Sequence, residues 1–233
     1  MLEFLSWLAI LWGGLIVTIQ LTAATVVLTV LLSAAVAVGG VHPWKVVRII
    51  ARGYADLFRS IPLLALLTFV YFGLGSFTAH LGLPALWLAV FALTLSESAY
   101  LSENYRAGLE AIPRTQWEDA RSLGLKWRQT VILIVLPQAI PPAIPTTLNA
   151  TIGIIKDSSL ASIIAVSEVT LIATQLVSAT FLPLQVYLTL GLMYLALIVP
   201  LTILSARVER AFSGTSASRG AVPLEPAVPG GAH

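Results

Sequence analysis

The sequence predicts an all-α, polytopic membrane protein with about five transmembrane helices, its N-terminus outside and its C-terminus inside. Three observations carry that expectation. The 233 residues are 58% hydrophobic and only 10% charged, whereas a soluble domain usually runs near 45–50% apolar and about 25% charged. Several apolar runs approach the roughly 20 residues a bilayer crossing needs. The basic residues also fall into clusters that an odd number of crossings would gather on one side.

The spans are taken in order. Residues 10–38 form the first apolar run, closed by Gly39-Gly40 and His42-Pro43. Its leading segment "MLEFLSW" has an acid, Glu3, and no Lys or Arg, and the run far exceeds a signal-peptide core, so it reads as a retained span. The second, third, fourth and fifth spans are expected at 60–77, 83–105, 137–155 and 181–206. Lipid offers backbone groups no water, so helices are the form expected at these lengths. The fourth contains Pro141, Pro142 and Pro145, which are expected to kink or break it. Its polar Thr146, Thr147, Asn149 and Thr151 require that it pack on protein or line a cavity. Residues 1–212 form the transmembrane domain, with a loop at about 106–136. The Ser-, Ala-, Pro- and Gly-rich residues 213–233 are expected to be a disordered tail.

Orientation follows from charge. Lys45, Arg48, Arg52 and Arg59 lie between spans one and two. Arg106, Arg114, Arg121, Lys126 and Arg128 lie between spans three and four, and Arg207, Arg210 and Arg219 follow span five. With five spans these all share one side, which the positive-inside rule makes cytoplasmic. The turn "GSFTAHLG" after span two has no charge, as an outside loop may. Trp7, Trp12, Trp44, Trp117 and Trp127 suit membrane boundaries. Without Cys there is no disulfide, thiolate metal site or Cys nucleophile. His42, His80 and His233 share no metal-ligand spacing. No basic patch interleaved with aromatics suggests nucleic-acid binding, and no Ser, His and acid arrangement reads as a hydrolase.

The stretch "EDARSLGLKWRQTVILIVLP", 118–137, stands apart as polar and hinged. Thr115 can cap a helix with Glu118 three positions on, and Glu118 and Asp119 then fall in its first turn. Gly124 can leave the helix with positive φ. A second short helix from about Lys126 would lead into span four, with Pro137 at the bend. The segment reads either as an amphipathic helix on lipid headgroups or as one that docks into a groove of a soluble partner.

Glu118-Asp119-Ala120, three residues, Gly124, nine residues and Ile134-Val135-Leu136-Pro137 resemble the "EAA" loop of bacterial ABC importer permeases. Asp119 stands where the usual pattern has Ala. "LFRSIPLLALLTFVYFGL" (57–74), "SESAYLSENYRAGLEAIPRTQWEDARSLG" (96–124) and "IKDSSLASIIAV" (155–166) resemble the polar amino acid branch of that family, over roughly residues 10 to 210. The resemblance implies the type I ABC importer permease fold in a bacterial cytoplasmic (inner) membrane. It implies a second permease, identical or paralogous, and a pair of cytoplasmic ATPase subunits that bind ATP and Mg. It also implies an extracytoplasmic solute-binding protein and a polar amino acid as substrate. Glu118, Asp119, Ala120, Gly124, Ile134, Leu136 and Pro137 would form the coupling element to the ATPase. This chain has no phosphate-binding Gly-rich loop of its own, so it is expected to be neither enzyme nor cofactor carrier. A stand-alone channel or intramembrane enzyme is the competing class.

An ionised side chain at the centre of an isolated span costs on the order of 2.5–3.5 kcal/mol. Glu97, Glu103, Lys156 and Asp157 therefore need partners or a task. Glu103 is expected to pair with Arg106 at i+3. Lys156 and Asp157 could pair with Glu97 or Arg59 and hold helices together. Alternatively Glu97, Tyr100, Asp157 and Ser158 line a polar cavity that receives the ammonium and carboxylate of a substrate. Ser60-Ile61-Pro62, with Glu97 and Ser102-Glu103, looks like permeases of glutamate/aspartate importers, which slightly favours that substrate. Acids in a cavity draw the expectation toward basic amino acids such as arginine, histidine or lysine, and glutamine remains a further alternative.

Overall fold

The computed structural model describes residues 2–75, 80 and 82–217, with side chains described from Trp7 to Ala211 inside the terminal helices. Among the described residues it is helical throughout. The helices are α1 (Leu2–Gly40), α2 (Lys45–Ser60), α3 (Leu63–Gly73), α4 (Ala85–Glu110), α5 (Arg114–Ser122), α6 (Trp127–Ile164), α7 (Val169–Thr180) and α8 (Pro183–Ala217). Four of them, α1, α4, α6 and α8, are long and apolar enough to cross a membrane. A fifth crossing exists only if α2 and α3 are taken together, and these meet at a 97° bend. The expected span at 60–77 is thus a short arm that starts after Pro62, because Ile61 and Pro62 are extended and neither continues α2. Its expected end, and most of the uncharged turn after it, fall at 76–79 and 81, outside the described residues.

Helix α1 is the spine. Thr18, Thr22, Thr25, Thr29 and Ser33 lie three or four residues apart and are all buried, so they form one stripe of small side chains. Small residues let helix backbones approach closely where lipid removes the usual hydrophobic drive. The stripe packs against α4, itself small-faced through Ala89, Ala92, Ser96 and Ala99. Nearer its start, Gly14 touches the beginning of α7 so closely that an added Cβ would lie 2.7 Å from Val169 Cα. Beside it, the Val169 amide donates to Thr18 Oγ1 at 3.1 Å.

Three apolar clusters fill the interior. The largest joins Leu21 of α1, Leu66 and Leu67 of α3, Leu88 to Leu93 of α4 and Ile164 at the end of α6. A second joins Leu11 and Leu15 with Val169, Ala173, Val186 and Met193. Trp7 belongs to this cluster and is buried. The third, at the end rich in basic residues, holds Ala37, Leu109, Val135 and Ala139 beside Trp117.

Helix α6 departs from expectation in a useful way. It runs unbroken from Trp127, its last seven residues, Ser158–Ile164, wound as 3-10 helix, although Pro137, Pro141, Pro142 and Pro145 lie inside it. A proline ring clashes with the carbonyl four residues back. At Pro137 the chain avoids this with a π-helical turn over Val131–Val135, which widens the helix where the Leu133 carbonyl would collide. The Ile134 carbonyl is taken instead by Gln138 Nε2 at 2.7 Å. Pro137 therefore sits within a continuous helix. The polar residues of this span find protein partners. Tyr105 and Thr147 hydroxyls meet at 2.6 Å, and Ser205 Oγ donates to Asn149 Oδ1 at 2.8 Å.

Near the C-terminus, Phe181 takes a left-handed conformation, φ 57°, and ends α7. The last span therefore begins at Pro183, not at 181, and it continues to Ala217, past the expected start of the tail. The remaining tail, 218–233, lies outside the described residues. Helix α7 is unforeseen by the span pattern because its twelve residues are too short to cross a bilayer.

Candidate functional site

Where α2 turns into α3, the chain opens a cavity of about 430 Å³ against α4 and α6. The bend contributes Arg59, Ser60, Ile61 and Pro62; α4 contributes Ser96, Glu97 and Tyr100; α6 contributes Asp157 and Leu160. Glu97 and Tyr100 are three residues apart and so share a helix face. Tyr100 donates its hydroxyl to the Arg59 carbonyl at 3.1 Å, which holds the bend against α4. The Glu97 and Asp157 carboxyl groups, from two helices, face one another within hydrogen-bonding reach.

Of the cations near this pair, Arg59 is engaged by other acceptors and Lys156 lies outside the cavity. Arg59 donates to Asp56 Oδ1 at 2.8 Å and to the Ala55 carbonyl at 3.3 Å, and lies 3.9 Å from Glu103. Lys156 is exposed, does not line the cavity and joins none of the ion pairs among the described residues. Of the four residues expected to line a substrate cavity, Glu97, Tyr100 and Asp157 come together. Ser158 does not: it is fully buried, and its Oγ donates back to the Ile155 carbonyl at 2.7 Å. Ser96, a lining residue, carries no sequence signal beyond its place one position before Glu97.

Below the cavity the same helix carries an ion ladder. Arg106 reaches Glu103 at 2.5 Å and Glu110 at 2.7 Å, and Arg52 of α2 reaches Glu110 at 3.3 Å. The expected Glu103–Arg106 pair is present within it.

The segment 118–137 also takes defined form. Helix α5 begins at Arg114, directly after Pro113, and no side chain caps it. The capping box from Thr115 is thus absent, because Thr115 already lies inside the helix, and Glu118 and Asp119 fall in its middle. Gly124 has φ +79°. Around it the Leu125 amide donates to the Ala120 carbonyl at 3.0 Å and the Gly124 amide to the Arg121 carbonyl at 2.9 Å, the paired bonds of a Schellman stop. After the hinge, Gln129 Oε1 accepts from the Lys126 amide at 2.9 Å and starts α6. One side of α5 is fixed: Ala120 is buried, Trp117 packs beside Leu136, and Gln138 Nε2 donates to Gln116 Oε1 at 2.7 Å. The other side presents Glu118, Asp119, Gly124 and the bare Leu123, 80% exposed, to the surroundings. Ile134 and Leu136 are half-buried in α6 and Pro137 is exposed.

Glu168 has no role in the sequence reading. It is fully buried and caps α7, accepting from the Thr170 and Leu171 amides at 2.9 and 2.8 Å and from the Tyr194 hydroxyl at 3.3 Å. Its only sequence signal is an acid directly ahead of an apolar run.

Residues 30–214 match the family model described as "Binding-protein-dependent transport system inner membrane component". The chain is 36% identical to the "Probable glutamine ABC transporter permease protein GlnM" of Bacillus subtilis (strain 168), over 78% of this chain and 85% of that protein. It is 32% identical to the "Arginine transport system permease protein ArtQ" of the same organism, over 84% of this chain and 90% of ArtQ. A crystal structure of an amino acid ABC transporter with histidines superimposes with a TM-score of 0.79 at 30% identity, covering 90% of this chain and 97% of that one. The chain therefore belongs to the family of binding-protein-dependent transport system inner membrane components, with the type I ABC importer permease fold. Within that family it is a multi-pass permease subunit of the polar amino acid ABC importer type.

Proposed function

We propose that this permease carries cationic amino acids of the arginine type inward across a bacterial inner membrane. The observation that carries the substrate class is the meeting of Glu97 and Asp157 over a cavity whose neighbouring cations are already bound or turned away. Two carboxyl groups forced together in a low-dielectric site favour a cation between them. A guanidinium offers a planar fork of donors that suits carboxylates, and Tyr100 and Ser60 supply neutral polar contacts at the rim. Glutamate or aspartate, to which the likeness of Ser60-Ile61-Pro62 slightly pointed, would bring a further negative charge to the same place.

The remaining machinery follows from the coupling segment. The end carrying Arg106, Arg114 and Arg121 is cytoplasmic, so the N-terminus is outside and the C-terminus inside. A pair of ATPase subunits, holding ATP and Mg, grips the exposed side of α5. A second permease, the same chain or a paralogue, completes the path, and a solute-binding protein delivers the substrate from outside. The ATPase drives transport only to the extent that its two states hold α5 in different geometries. The fixed side of α5, through Trp117 and Gln116, passes that difference to α6 and thence to Asp157.

Competition in proteoliposomes containing the complete transporter tests the substrate class. Uptake of labelled arginine should be suppressed by unlabelled lysine or ornithine and unaffected by glutamate. Suppression by glutamate or aspartate, or by glutamine alone, would remove the cationic assignment.

A further inference from the structure

Helix α2 has three faces where an ordinary surface helix has two. Ala51 and Ala55 are buried, with Tyr54 and Phe58 beside them. Lys45, Arg48, Arg52, Asp56 and Arg59 form a second, charged face. The third consists of Val46, Ile49, Ile50 and Leu57, all more than half exposed, with Trp44 at its head. The charged face borders a cavity of about 630 Å³ between α2, α5 and the start of α6. Into it turn Arg48 and Arg52 from α2 and Arg114 and Arg121 from α5, with Trp117 and Trp127 in its walls. Two carboxylates also line it. Glu110 is taken up by Arg52 and Arg106, and Glu118 stands at the rim. Arg48 donates to the His42 carbonyl at 3.0 Å, and neither it, Arg114 nor Arg121 forms an ion pair among the described residues.

We propose that this cavity holds the headgroup of an anionic phospholipid whose acyl chains lie along the apolar face of α2. Guanidinium groups without carboxylate partners match a phosphodiester in charge and in fork geometry. A basic pocket beside membrane helices is a common form of lipid-headgroup site. A free phosphate would satisfy the arginines but leave Val46, Ile49, Ile50 and Leu57 bare, whereas a lipid covers both. The amphipathic helix, bent 97° from α3, is thereby an interfacial element. Because Arg114 and Arg121 stand on α5, the headgroup ties the coupling helix to the membrane surface.

The test uses the purified full chain in detergent, titrated with phosphatidylglycerol or phosphatidylcholine of identical acyl chains, with bound lipid counted by native mass spectrometry. Phosphatidylglycerol should bind on the order of a hundredfold more tightly, about fivefold for each of the three arginines without ion pairs. Arg48→Gln with Arg121→Gln should remove most of the preference, and Arg121→Gln alone, on an exposed position, should remove part of it. Arg207→Gln with Arg210→Gln should leave it unchanged, and Ile49→Gln should weaken both lipids alike. Equal binding of the two lipids, a preference undiminished by loss of Arg48 and Arg121, or equal loss in the Arg207 and Arg210 variant would overturn the site. Displacement of the lipid by equimolar inorganic phosphate would overturn the lipid as occupant. The proposal rests on membrane placement and not on the transported substrate, so its failure leaves the competition experiment untouched.

Discussion

Two stretches of α4, six residues apart, keep their acids in opposite company. Glu97 faces another carboxyl, Asp157, across a cavity, while Glu103 lies between Arg106 and Arg59 and continues into a ladder through Glu110 to Arg52. In the ladder each charge has its counterion within the chain, so it serves as architecture that fixes α2 on α4. In the cavity, two carboxyl groups from separate helices face one another, and neither joins an ion pair among the described residues. Under the proposed function, that cavity receives a positively charged substrate, whereas the ladder receives none. The difference lies in the company of the residue, not in its type.

The largest effect is expected where neither region is touched. Gly124→Val places a β-branched residue at φ +79°, a conformation that costs on the order of 1–3 kcal/mol outside glycine, and so dissolves the stop between α5 and α6. ATP-driven uptake should vanish while membrane insertion, the cavity and the ladder persist. Glu118→Lys, on the exposed side of α5, should do the same. Normal uptake by both variants in proteoliposomes would show that force does not enter through this helix.

Next in size is the cavity itself. Glu97→Ala and Asp157→Ala each remove one carboxyl from the pair, and a lost charge-assisted contact to substrate should lower uptake roughly ten- to hundredfold at limiting substrate. Thermal unfolding in detergent should change little, since neither carboxyl belongs to an ion pair among the described residues. A fall in thermal stability that accounts for the lost uptake would place Glu97 with the ladder and erase the contrast.

Much of this contrast was legible in the sequence. Glu103 and Arg106 stand at i+3, a spacing that defines a pair without any fold. The helix stop at Gly124, with its positive φ, was legible because turn chemistry is local. The meeting of Glu97 with Asp157 was legible only as one of several pairings, since sixty residues that include α5 and the proline-bearing part of α6 separate them. Ser158 illustrates the limit: whether a serine at the end of a span faces a cavity or its own backbone depends on the 3-10 turn that begins there. The count of about five spans holds if α2 and α3 make one crossing, but the bounds of that span were not legible, because apolar length says nothing of a 97° turn at Ile61-Pro62. Helix α7 and its buried cap Glu168 lay below the length that span patterns detect. The unbroken course of α6 through its prolines depended on a π turn that no propensity foretells.

Within the ladder, the central position should matter more than the end. Glu103→Ala removes the bidentate partner of Arg106, whose Nε and Nη2 both donate to it at 3.1 and 2.5 Å. Glu110 remains to hold that guanidinium, so the loss should be about 1.5–3 kcal/mol, the range for hydrogen bonds to charged groups. Thermal unfolding should report it, with uptake falling only in proportion to folded protein. Loss of uptake at unchanged stability would make Glu103 part of the substrate path.

The smallest effect belongs to Arg52→Ala. Its contact with Glu110 is 3.3 Å long, and both side chains are nearly half exposed, where water and salt screen the attraction and the ordering of two long side chains offsets much of it. Exposed pairs of this kind contribute about 0.2–1 kcal/mol. Arg106 keeps Glu110 paired when Arg52 is gone. The melting temperature should therefore move little, and the small shift should disappear at high ionic strength, while that of Glu103→Ala persists because its partners are more sheltered. Equal salt sensitivity in the two variants would mean that the ladder is a single surface feature and not a graded contact running from solvent toward the cavity.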